Sequence, residues 1–155
     1  MALTVALFLM NLVTAQLLVC LLMTGVIWTV QLVIYPLFAT FKSNEALVEF
    51  HTHYTPKISY VVIPLMFSEL GMALAHVVLD FHWRPVVGLA LVLGNWLSTF
   101  FISVPLHQKI ADSGDFSVTH KSAQLLTPTN WPRTILWSLR SVFLYLWASG
   151  HLGAL

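Results

Sequence analysis

The stretch EFHTHYTPKISYVVIPLMFSEL, residues 49–70, carries His51 and His53 at the edge of an apolar run and Glu69 deep inside it. At about 100° per residue, His51 and Glu69 share one helix face, five turns apart, with His76 two turns further along. His51 and His53, two positions apart, point the same way only if the chain is extended there. Imidazole ligates metals and moves protons at neutral pH. A carboxylate in apolar surroundings is a functional-site hypothesis by default: a proton carrier, a substrate anchor or a metal ligand.

Other chemistry-bearing residues gather at the same level of the chain. His107 follows Pro105 at the end of a third apolar segment, and Arg133 and Arg140 lie two turns apart on a fourth. Asn130, Thr134, Trp137 and Ser141 form a polar stripe beside the arginines, and Thr24, Trp28, Gln31 and Tyr35 form another on the first segment. This pattern makes Glu69 and His107 candidate acid/base groups, with Arg133 and Arg140 placed to stabilise developing negative charge. Gln31, Tyr35, Asn130 and Trp137 are the expected substrate-binding residues. His51, His53 and His107 are the expected metal ligands, which leaves haem or a single metal ion open as cofactor. A His53, His107, Glu69 set matches a non-haem iron triad in ligand type, but Glu69 lies about 20 Å along its helix from the helix entrance, too far to share one metal ion with His53 unless the loop folds inward. No HExxH or paired-carboxylate motif is present.

The elements that must position these groups are membrane helices. Of the 155 residues, 58% are apolar and only 8% charged, with a mean hydropathy of +0.83, whereas a soluble domain carries about 25% charged residues. The net charge of +1 offers no basic surface for nucleic acid, and the single cysteine, Cys20, excludes an internal disulfide framework. No charged side chain precedes Lys42, so the N-terminal run lacks the basic start of a secretory signal and is expected to stay as a first helix. Four spans follow, at about 11–38, 55–79, 85–106 and 133–152, each near the roughly 20 residues a bilayer requires. They predict one all-α domain over 1–155: an integral membrane four-helix bundle, up-down-up-down. SVTHKSAQLL, residues 117–126, is expected as a short interfacial helix. YPLF at 35–38 and VPLH at 104–107 echo each other, and proline at such places marks helix ends.

Lys42, Lys57, Lys109, Lys121 and Arg133 flank the first and third connections, and only Arg84 flanks the second. The positive-inside rule therefore puts those two connections in the cytoplasm and both termini on the non-cytoplasmic side. The histidines converge on the cytoplasmic end, except His76, His82 and His151, and with Arg133 and Arg140 suggest a polar cavity opening there.

NWPRT at 130–134, followed by Trp137 in a chain with four spans, resembles the small membrane family that includes the anthrone oxygenases, the matching residues being Asn130, Arg133 and Thr134. The resemblance implies a four-helix integral membrane fold and oxidation of a hydrophobic aromatic without a recognised cofactor motif. The expected function is accordingly a bacterial inner-membrane, oxidoreductase-like protein acting on or binding a lipophilic small molecule. Two alternatives stand beside it: a proton-coupled transporter or binding protein, and an accessory subunit binding haem or pigment. The expected partners are the lipid bilayer, the lipophile, and further copies or a larger membrane complex.

Overall fold

A computed structural model describes residues 2–150, and every regular element among them is helical. The first rod comprises α1 (Ala2–Thr29), a π-turn at Val30–Ile34 and α2 (Tyr35–Phe38). The second is the single helix α3 (Asn44–Leu79). The third comprises α4 (Trp83–Ser98), a π-turn at Thr99–Ser103 and α5 (Val104–Asp112). A shorter helix, α6 (Phe116–Thr129), leads into α7 (Trp131–Ala148). Three helical stretches are long and apolar enough to cross a membrane: Thr4–Phe38, Asn44–Leu79 and Trp83–Asp112.

Local chemistry sets the boundaries. Ser43 caps α3, its Oγ accepting from the Ala46 N–H at 3.3 Å, with Glu45 in the first turn toward the positive end of the helix dipole. The cap starts α3 at Asn44 rather than near 55, so His51 and His53 are both helical and point apart. Asp115 caps α6 through the Ser117 N–H at 2.8 Å, and α6 contains the whole of SVTHKSAQLL. Pro132 occupies the first turn of α7, where a missing N–H costs nothing. The third rod runs from Trp83 to Asp112, wider than the 85–106 expected. The last residues of the fourth expected span, with His151, lie outside the described residues.

The prolines of YPLF and VPLH do not simply stop helices. A proline ring collides with the carbonyl four residues before it. For Pro36 and Pro105 those residues, Leu32 and Phe101, lie inside the two π-turns, whose wider backbone takes up the collision. The first rod ends soon after, at Phe38, but the third continues to Asp112.

Helix α1 packs against α3 and α7, and α4 packs against the same two, which closes a ring of four. Gln31 meets Asn130, Thr24 meets Ser141 and Gln16 meets Arg140, so α1 and α7 run antiparallel. One apolar core lies between these helices, around Cys20, Met23, Ile27, Met66, Trp137 and Leu144. A second forms beyond it, where α2, α5 and α6 gather around Tyr35, Phe38, Leu47, Ile110 and Leu126. The distribution is the reverse of a water-soluble bundle. Gln16, Gln31, Glu69, Asn95 and Arg140 are buried, while Leu22, Phe67, Val78 and Phe101 stand outward.

Candidate functional site

Two polar networks cross the ring at different levels. The deeper one centres on Arg140, which is fully buried on α7. Its Nε donates to Glu69 Oε2 at 2.5 Å, its Nη1 to the Gly88 carbonyl, and its Nη2 to Gln16 Oε1 at 3.0 Å. Gln16 Nε2 can only donate, so His76 Nδ1, 3.0 Å away, accepts and the ring proton stands on Nε2. That ring stacks on Trp147 with centroids 4.7 Å apart. Thr24 and Ser141 bridge α1 and α7 nearby at 2.8 Å, with the Cys20 thiol 3.3 Å from the Ser141 hydroxyl. The buried charge of Arg140 is thus matched by a carboxylate, and hydrogen bonds take up its remaining edges.

The second network draws on residues in or next to both π-turns. Tyr35, the residue after the first π-turn, has its hydroxyl 3.1 Å from His107 Nε2, and His107 Nδ1 lies 3.0 Å from His51 Nε2. A neutral His107 carries one ring proton, so the two bonds are coupled. Either Tyr35 donates and His107 passes its proton toward His51, or both bonds run in reverse. The chain can therefore move a proton between its ends by changing direction as a unit. Ser103, the last residue of the second π-turn, accepts from Arg133 Nη1 at 3.2 Å, and Asn130 Oδ1 accepts from the same nitrogen at 3.2 Å. Asn130 Nδ2 and the Thr134 hydroxyl donate to Gln31 Oε1 at 2.9 and 3.2 Å, and Gln31 Nε2 donates to the Thr127 carbonyl at 3.0 Å.

These groups close one end of a cavity of about 490 Å³ between α3 and the third rod, against α1. Tyr35, His51, His107 and Arg133 line that end, and the rest is largely apolar. Ile63, Phe67 and Phe100 line its side and are exposed, so the cavity opens laterally between α3 and α4. Three lining groups have no hydrogen-bond partner: Thr55 Oγ1, Trp96 Nε1 and Arg133 Nε.

The structure therefore divides the residues singled out by type and spacing. Tyr35, His51, His107 and Arg133 come together on the cavity, with Gln31 and Asn130 directly behind Arg133. Glu69 and Arg140 pair with each other and are not among the lining residues. Trp137 is fully buried on α7, and its backbone carbonyl accepts from Thr24 at 3.3 Å. His53 is exposed on the opposite side of α3 from buried His51. Among the described residues no group of three or more His, Cys, Asp or Glu could hold a metal ion. The facing nitrogens of His51 and His107 are bonded to each other at 3.0 Å, which leaves no width for a porphyrin between them. Gln16, Gly88, Ser103 and Trp96 were not legible as site residues. A glutamine in an uncharged run was the one signal available for them; the roles of a backbone carbonyl and a π-turn serine have none.

No family model matches the chain, and neither a curated protein nor a solved structure does. The likeness to the anthrone oxygenases accordingly rests on Asn130, Arg133 and Thr134 alone.

Proposed function

We propose that this is an integral membrane protein, of a bacterial inner membrane, that binds a lipophilic small molecule in the lateral cavity and holds its polar head among Tyr35, His51, His107 and Arg133. The observation that carries the reading is a largely apolar cavity that opens sideways and ends on buried polar groups, one of them an arginine with a free Nε. Helical rise supplies the depth. The 18 residues of α7 span about 27 Å, close to the hydrocarbon thickness, whereas the 36 residues of α3 span about 54 Å. On this reading α2, the start of α3, α5 and α6 stand beyond the hydrocarbon, and Arg133 lies at the interface. Lys42, Lys57, Lys109 and Lys121 gather toward that end, which makes it cytoplasmic and leaves both termini outside. The Tyr35–His107–His51 chain equips the site for an acid–base step on the bound head group. The oxidation implied by the anthrone oxygenase resemblance has no support beyond those three residues.

The test uses Trp96 as reporter, in protein reconstituted into nanodiscs. 4-Bromobiphenyl should quench wild-type fluorescence saturably, and subtracting the Trp96→Phe signal should isolate that quenching at the cavity. Ser59→Phe, which fills the cavity from α3, should abolish it. Equal quenching in wild type and Trp96→Phe would sink the reading.

A further inference from the structure

We infer that the occupant is an anionic amphiphile, a long-chain carboxylate, taken sideways from the leaflet at the Phe38 and Asp112 end of the bundle. This rests on the lipophile-binding reading above and names the class of ligand.

The two arginines of α7 carry the argument for the head group. Both are buried, Arg140 at 0% and Arg133 at 5% exposure. Arg140 has its counter-charge in Glu69. Arg133 forms no ion pair among the described residues: its Nη1 bonds two neutral acceptors, Ser103 and Asn130, and its Nε bonds nothing. A guanidinium withdrawn from water without an anion is costly. Its planar fork matches a carboxylate through two parallel hydrogen bonds. Neither of these two bonds uses the Nε edge, the Tyr35 hydroxyl stands against the same guanidinium, and Arg133 lines the cavity. Thr55, one turn along α3 from His51, lines the same end, and its buried Oγ1 has no partner.

Shape argues for the tail. Along α3 the lining runs from His51 to Phe67, a distance of about 24 Å by helical rise. A cavity of that length and about 490 Å³ is an elongated slot, and an extended acyl chain fits it lengthwise. It lies parallel to α3, hence along the bilayer normal, and it is open at Ile63, Phe67 and Phe100. An amphiphile in the leaflet therefore already has the right orientation, with its head at the depth of Arg133. It moves in sideways without turning or crossing water.

The probe is 9,10-dibromostearate, whose bromines lie about as far from its carboxylate as Trp96 lies from Ser103, two turns or about 10 Å along the third rod. Its competitors are the matching dibrominated alcohol and a dibrominated phosphatidylcholine, all titrated into nanodiscs at pH 8 with the Trp96→Phe signal subtracted. The carboxylate should bind at least tenfold more tightly than the alcohol, as charge-assisted hydrogen bonds require, and the two-chain lipid should not saturate the signal. Arg133→Gln should remove the preference for the carboxylate while alcohol binding stays; if that variant does not fold, the wild-type comparison with Arg133→Lys decides. Equal binding of alcohol and carboxylate, or saturable binding of the two-chain lipid, overturns the inference. If 4-bromobiphenyl still quenches Trp96 in that case, the lipophile-binding reading survives; if no probe quenches it, both fall.

Discussion

Replacing Glu69 by glutamine keeps the shape of the side chain and removes the one counter-charge that Arg140 possesses. Arg140 is fully buried, and of its three partners only Glu69 is anionic. Removing one member of a buried ion pair leaves an uncompensated charge at a cost of about 3–5 kcal/mol. For a chain of this size that is a fall in Tm on the order of 10 °C. Arg140→Met should cost a similar amount by stranding the carboxylate. The double variant Glu69→Leu, Arg140→Met removes both charges and should unfold near the wild-type temperature, since well-packed apolar replacements of buried pairs are often neutral. Thermal unfolding in nanodiscs, followed by near-ultraviolet circular dichroism, gives the cycle directly. All three variants should still show the Trp96 quenching by 4-bromobiphenyl, because neither residue lines the cavity. A Glu69→Gln protein within about 1 kcal/mol of wild type, or a double variant as unstable as the sum of the singles, would refute the view of the pair as a cross-bundle clamp. Loss of probe binding at unchanged stability would return Glu69 to the site.

Other outcomes follow from the same geometry. A Cβ on Gly88 would meet Arg140 Nη1 at 3.3 Å and Phe143 at 3.7 Å; Arg140 is held on every edge, so Gly88→Ala should lose about 1–3 kcal/mol. Gly94→Ala meets only the end of Leu136 at 3.3 Å and should lose less, and the reverse ranking in thermal unfolding would contradict the clamp. Tyr35→Phe cuts the chain at His107 Nε2, so the ring ¹⁵N shifts of His107 and of His51 should both move; a change at His107 alone would show that the two bonds are not coupled. The Ser117 backbone N–H holds the Asp115 carboxyl below the usual carboxylate range. Its contribution to α6 is therefore complete above the unfolded value of about 3.9 and disappears as pH falls through the lower folded value. Asp115→Asn keeps the cap and should flatten the acid limb of helicity below pH 4; an unaltered limb contradicts the assignment.

Much of the helical content was legible because composition and run length are local properties. The three long rods follow from uncharged stretches, and the SVTHKSAQLL helix from its own pattern. Helix starts were less legible. Ser43 begins α3 eleven residues before the apolar run that marks it in the sequence, and that shift turns His53 away from His51. The π-turns were legible only as the echo of YPLF and VPLH, since a proline marks backbone trouble but not how the neighbouring turn absorbs it. The convergence of Tyr35, His51, His107 and Arg133 at one level was readable from depth along the helices.

By itself the sequence determined that these helices have an apolar exterior, at what depth each polar residue stands, and that Lys42, Lys57, Lys109 and Lys121 mark one end. Only the tertiary structure decided which polar groups meet. Arg133 and Arg140 are two turns apart on one helix with the same chemistry. Both lie on nearly the same face of α7, and the difference is what the neighbouring helices set at each height: Glu69 beside Arg140, and a cavity without a carboxylate beside Arg133. Partnership between helices depends on their relative rotation and crossing, which is fixed by packing across the whole bundle and leaves no mark within any one segment.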